Sequence, residues 1–172
     1  MVANAAATRE SILEILAEVK DPELPMIDVV ELGIVRDVTF DDGHLTVDIT
    51  PTYSGCPAMQ VIEKEIVATL AAHGFDDAQI RMVYSPAWTT DWMTAEAREK
   101  LREHGIAPPH LVEISGGGIA ELVSLRRAKP TTECPFCGSA NTTERSEFGS
   151  TACKSIHFCN SCHQPFDHFK SF

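Results

Sequence analysis

The chain contains no apolar run approaching the ~18 residues that would cross a bilayer, so no segment reads as a membrane span. Its start, Met1 to Thr8, lacks the basic residues and apolar stretch of a secretory leader. Together these absences lead to the expectation of a cytoplasmic protein. Basic charge is scarce: 14 Lys/Arg stand against 25 Asp/Glu, for a net charge of −11. The deficit is uneven. Residues 126–172 hold six basic and four acidic side chains, whereas the remainder holds 8 against 21. A body this acidic repels nucleic acid and anionic membrane surfaces, and the weakly basic tail is too small to reverse that.

Several catalytic signatures are also missing. No Glu-x-x-His places a di-iron ligand pair on a helix, and no Gly-x-Gly-x-x-Gly follows a strand. The run Gly116-Gly117-Gly118 lacks the Lys-Ser/Thr of a phosphate loop, and there is no Gly-x-Ser-x-Gly elbow. The seven histidines show no recognisable order with Ser and Asp.

What is present is a well-patterned globular chain of 172 residues, 44% hydrophobic, enough for a core. Thr8 is placed to cap a helix over Arg9–Val19, with Ile12, Ile15, Leu16 and Val19 on one face. Asp21-Pro22-Glu23-Leu24-Pro25 reads as a loop. Val35–Phe40 and Leu45–Thr50 read as a β-hairpin around Asp41-Asp42-Gly43-His44. Pro57 opens a helix to about His73 that buries Val61, Ile62, Ile66 and Leu70 and stops at Gly74. Ile80–Tyr84 is a third strand, and Thr94–His104 is a helix closed by Gly105. The expected organisation is a domain over 1–108, a linker or short strands over 109–130, and a cysteine module over 131–172.

Six cysteines in a reducing compartment point to metal ligation or reactive thiols rather than disulfides. Four of them form two Cys-x-x-Cys turns, Cys134/Cys137 and Cys159/Cys162. Each turn can aim two thiolates at one ion, and four thiolates complete the tetrahedron zinc prefers. The 21 residues between Cys137 and Cys159 slightly exceed the usual ~15–20, which a longer hairpin accommodates. Gly138 suits a turn needing positive φ, whereas His163 stands at the matching place after Cys162. Zinc is the expected ion; iron or an iron–sulfur cluster is the alternative for four thiolates, with Cys153 and His157 as alternative ligands.

Cys56 precedes the second helix, where free N–H groups and the helix dipole are expected to lower its pKa. It reads equally as a working thiol and as a small apolar residue packed at a helix start. Asp21 and Glu23 on the proline-stiffened loop read as a metal or partner site, or as a turn cap. Trp88 and Trp92 read as a docking surface or as core.

The segments Asp21–Pro25, Leu32-Gly33-Ile34-Val35, Thr50–Pro57 and Ser85–Asp91 resemble the SufT-like domain of iron–sulfur assembly factors. With Cys134-Pro135-Phe136-Cys137-Gly138 and Phe148–Lys154 added, the chain from residue 9 to its end resembles the PaaD/PaaJ family of the phenylacetyl-CoA monooxygenase (ring-1,2-epoxidase) system. The resemblance implies an α+β fold: a small SufT-like α/β sandwich with helices packed on a short mixed sheet, and a C-terminal zinc-ribbon-like β module. It implies a non-enzymatic accessory factor that matures iron–sulfur or di-iron cofactors of that oxygenase in aerobic phenylacetate degradation. The partners implied are the oxygenase subunit or its iron–sulfur reductase; homodimerisation stays open. Cys56 becomes the functional thiol, with Asp21 and Glu23 beside it. A structural subunit docking through its ribbon is the alternative, and thiol-based activity at Cys56 also stays open.

Overall fold

A computed structural model describes residues 8–41, 44–53, 55–110 and 131–171. It divides into two compact units, one ending at Lys100 and the other spanning Leu101–Ser171.

The first unit opens with α1 (Arg9–Leu16). The Thr8 side chain accepts the Ser11 N–H at 3.2 Å, and the Ser11 hydroxyl accepts the Thr8 N–H at 3.0 Å, a reciprocal capping box. The helix is shorter than the apolar period suggests. Glu18 and Val19 donate to Ile15 and Leu16 carbonyls, three residues back, which tightens the last turn. Asp21–Pro25 is not a simple loop. It forms the turn of a two-stranded ribbon, β1 (Lys20–Asp21) and β2 (Leu24–Asp28). The buried Asp21 carboxylate accepts the Glu23 and Leu24 N–H groups at 2.7 and 2.9 Å, and so satisfies two donors of the turn.

The expected hairpin is present as β3 (Val35–Asp41) and β4 (His44–Ile49), paired antiparallel. Val38, Leu45, Val47 and Ile49 are buried, whereas Phe40, near the turn, is exposed. From β4 the chain passes through α2 (Met59–Ala72) to β5 (Gln79–Met82), which lies parallel to β4 and completes a mixed sheet of order β3-β4-β5. Arg81 on β5 forks onto the Asp48 carboxylate of β4 with two bonds of 2.7 Å, which pins that register.

Helix α2 buries Met59, Ile62, Ile66 and Leu70. Val61 was expected on this face but is 47% exposed. Burial at positions 59, 62, 66 and 70 fixes a stripe, and position 61 lies about 100° away from its neighbour 62. The helix ends in a Schellman motif: Gly74, at φ 88°, donates to Ala71 O, and Phe75 donates to Leu70 O.

A short 3-10 turn (Thr90–Trp92) precedes α3 (Ala95–Glu103), whose sequence carries the chain into the second unit. Trp88 is core: it is buried, and its Nε1 donates to Leu32 O at 3.0 Å. Trp92 lies under the Arg36 guanidinium, 3.2 Å from ring centre to carbon. Gly33 has φ 74°, and a Cβ there would fall 2.8 Å from Trp92 O, so both conformation and space demand glycine.

The second unit is a four-stranded sheet of order β6-β9-β8-β7, with β6 (Ile106–Ala107), β7 (Thr142–Ser146), β8 (Lys154–Cys159) and β9 (Pro165–Phe169). β7, β8 and β9 run antiparallel; β6 joins β9 in parallel. Residues 106–107, grouped by sequence with the first domain, thus pair within the ribbon's sheet. The linker assigned to 109–130 lies, from residue 111, outside the described residues. Among the described residues, no helix is long and apolar enough to cross a membrane.

Candidate metal centre

The two Cys-x-x-Cys turns adopt one geometry twice. The Cys134 N–H donates to Ser139 O and the Gly138 N–H donates back to Cys134 O, at 3.0 and 2.9 Å. In the second turn the Cys159 N–H donates to Gln164 O and the His163 N–H to Cys159 O, both at 3.0 Å. The positive φ this turn requires falls on Gly138 at 70° and on His163 at 60°. His163 therefore follows the first knuckle's geometry even though its residue type departs from it.

The four sulfurs converge. All lie within 4.8 Å of one another, with Cys134–Cys162 at 3.7 Å and Cys137–Cys159 at 3.6 Å. Thiolates at ~2.3 Å from one tetrahedral ion stand about 3.8 Å apart, so the side chains fit a single zinc. Such an ion would be held by these four residues alone. It would supply no open coordination position, only folding energy.

The electrostatics suit this use. Backbone N–H groups of Cys162 and Ser161 hold the Cys159 thiol down to about 6. Desolvation and the neighbouring thiols push Cys162 up to about 12. Four thiolates cannot share so small a volume without a cation, and a bound metal removes that conflict. Cys134 and Cys159 are buried with Ala107 and Phe166, so the metal ligands form part of the sheet's own core.

Cys153 and His157 do not join the four thiols. Cys153 is buried, with the Thr151 hydroxyl 3.0 Å from its sulfur. His157 lies further along β8, in a buried polar cluster that sequence reading missed. The Ser155 hydroxyl sits 3.1 Å from His157 Nε2 and 3.4 Å from His168 Nδ1. The signal was available: Ser155, His157 and Cys159 alternate along one strand, so all three share a face.

Cys56 occupies the entry to α2, partly buried. The N–H groups of Ala58 and Met59 act to lower its pKa, as the helix-start position promises. Burial nevertheless outweighs them, and the charges of Glu23 and Asp21 add to it, so the thiol's pKa lies above its ordinary value. The expected lowering is thus reversed. The negative charges of Glu23 and Asp21 both reach the Cys56 thiol. Next to this loop is a cleft of ≈ 380 Å³ lined by Thr50, Pro51, Tyr53, Tyr84 and Trp88 among others.

Comparison with known proteins follows the same division. Residues 9–82 match a family described as iron–sulfur cluster assembly protein, and residues 120–170 match the PaaD zinc beta ribbon domain. A protein of Escherichia coli (strain K12), named as a putative subunit of 1,2-phenylacetyl-CoA epoxidase, is 44% identical over 91% of this chain and 88% of its own. The chain belongs to the PaaD family. The first unit has further relatives. The Fe-S protein maturation auxiliary factor YitW of Bacillus subtilis is 38% identical over 55% of this chain and 94% of its own. A solved structure, the domain of unknown function DUF59 from Bacillus anthracis, matches with a TM-score of 0.51 at 29% identity, covering 54% of this chain and 90% of that one. PaaD-family membership therefore joins an assembly-type α+β unit, which holds Cys56, to a ribbon that holds the four converging thiols.

Proposed function

We propose that this chain is a non-enzymatic accessory factor that matures the iron cofactors of a phenylacetyl-CoA epoxidase. The observation that carries the reading is the placement of Cys56. It lies in the unit that matches iron–sulfur cluster assembly proteins, at a helix start where the Ala58 and Met59 N–H groups favour its thiolate while two carboxylates oppose it. A raised thiol pKa disfavours a resting nucleophile, since the thiolate is the attacking form. The same surroundings favour a cation. Asp21 and Glu23 supply negative charge, Cys56 supplies sulfur once its proton leaves, and the Ala58 and Met59 N–H groups stabilise that sulfur as a thiolate. Iron, alone or in a cluster, is then cargo rather than a resident cofactor.

The ribbon serves as a structural zinc module that presents the chain to its client. The Escherichia coli relative is named for a phenylacetyl-CoA epoxidase, and this supports a client in that system. Its naming as a component of that enzyme also favours a second reading, a stoichiometric member of the complex that docks through its ribbon.

One experiment separates them. The epoxidase and its reductase are purified from cells with the chain, without it, and with Cys56→Ala. Iron or sulfide lost from one component, equally in the second and third arms, supports maturation and names the client. Full metal loading with an inactive or dissociated complex refutes it in favour of the structural reading.

A further inference from the structure

The ribbon's buried polar cluster has the composition of a second metal site. On β8, Ser155 and His157 face the same way as Cys159; on β9, His168 pairs with Ser155 and Phe166 with His157. On β7, Glu144 pairs with His157. A cavity of ≈ 280 Å³ opens among His110, Glu144, Ser155, His157 and His168. His157 and His168 are only 6% and 8% exposed. The His168 ring centre lies 5.4 Å from that of His110 and 5.1 Å from that of His157.

Hydrogen bonding leaves a donor available. When the Ser155 hydroxyl, which has one proton, donates to His157 Nε2 or to His168 O, it accepts from His168 Nδ1–H. That tautomer puts a bare lone pair on His168 Nε2. Among the described residues this buried nitrogen meets no hydrogen-bond partner. A buried imidazole held at one nitrogen by a hydrogen bond, with its other nitrogen unpartnered, resembles a metal-ligating histidine, whose second ring nitrogen is fixed in this way. Desolvation, helped by the neighbouring histidines, holds His168 down to about 4, so the lone pair is free at neutral pH.

We infer that this pocket is a second metal site, taking a divalent first-row transition ion through His168 Nε2, His110 and the Glu144 carboxylate, with His157 alongside. The donors are nitrogen and oxygen, which suits iron(II), cobalt(II) or zinc and sets the site apart from the four thiolates. Ring centres 5.4 Å apart match two imidazoles on one ion, whose centres lie about 3.2 Å from it when the metal–nitrogen bond is ~2.1 Å. The nitrogens do not converge on a point as the thiols do. His110 Nε2 now lies 3.4 Å from Thr132 Oγ1, so metal binding would replace that contact. The site is accordingly weaker and more exchangeable than the four-thiolate site. If the maturation reading holds, exchangeable iron(II) is its natural occupant; metal binding itself does not depend on that reading.

The test uses the full chain loaded with one equivalent of zinc and titrated anaerobically with cobalt(II). We expect one equivalent of cobalt to bind with weak d–d absorption and no thiolate charge-transfer band. His168→Gln should abolish it and Ser155→Ala should weaken it about tenfold, the effect typical of a residue that orients a ligand. Zinc content should stay at one per chain. No cobalt uptake overturns the site, and so does uptake that survives His168→Gln. A thiolate band overturns it too, since cobalt would then be replacing zinc. Should His168→Gln also release zinc, His110→Ala decides instead: unchanged cobalt uptake refutes the site. If cobalt binds as expected but epoxidase iron is normal in cells carrying His168→Gln, the metal site stands and its role in iron supply falls.

Discussion

Gly138 and His163 hold the same position in two superposable turns, at φ 70° and 60°. Only one of them is glycine. A side chain in the left-handed region costs roughly 1–2 kcal/mol, so the second knuckle carries strain that the first does not. His163→Gly should therefore stabilise the zinc-loaded ribbon by about 1 kcal/mol, while Gly138→Ala should destabilise it by a similar amount. Urea unfolding of both variants, followed in the second unit, checks the pair. A loss of stability in His163→Gly would show that the ring's contact with Phe158, centres 6.3 Å apart, outweighs the backbone.

Gly33 makes a sterner case in the first unit. Alanine there would meet Trp92 O at 2.8 Å and Trp92 Cβ at 2.9 Å while sitting at φ 74°. Backbone strain and overpacking act together, each worth about 1–3 kcal/mol. Gly33→Ala should lower the thermal midpoint of the first unit by several degrees and leave zinc content unchanged. A variant that melts with the wild type would mean the Trp92 segment yields without cost.

Much of this was legible in the residue pattern, and the exceptions share a cause. Helices were announced by local signals: Thr8 at one start, Gly74 and Gly105 at two ends. The hairpin was announced by alternation, and the four thiols by spacing. What failed depended on tertiary surroundings. Val61 looked apolar and helical, but the buried stripe runs through Ile62 and Ile66. Cys56 stood at a helix start, yet burial and two carboxylates some thirty residues upstream set its pKa. The histidine cluster joins positions from separate strands, and only the strand register brings Ser155 opposite His168.

That raised Cys56 pKa has a kinetic signature. With zinc protecting the four ligands, and Cys153 buried, alkylation by iodoacetamide reports on Cys56. Its rate at pH 8 should fall below that of an unperturbed thiol and keep rising beyond pH 9, because the thiolate forms only above the ordinary value. Glu23→Gln removes a charge that repels the thiolate, so its pKa should fall and alkylation at pH 8 should speed up. Mass spectrometry of the modified peptide against pH gives both curves. An unchanged rate in Glu23→Gln would place that carboxylate too far away to act in the proposed cargo site.

Metal loss should affect the two units differently. Cys134 and Cys159 are both metal ligands and members of the small core that also holds Ala107 and Phe166. Cys134→Ser leaves three thiolates, and the sheet β6-β9-β8-β7 has little other apolar material to hold it. The variant should lose zinc, and amide exchange protection should collapse over 142–169. A chelator acting on the wild type should do the same. Protection over 9–82 should persist, because the core of Ile12, Ile27, Val47, Ile62 and Ile66 owes nothing to the ion. The opposite pattern is expected for Cys56→Ala, with zinc retained and both sheets protected. A Cys134→Ser chain that keeps its ribbon protected would show that the four cysteines are packing rather than a structural metal site. Loss of protection in the first unit as well would mean that its folding also depends on the metal.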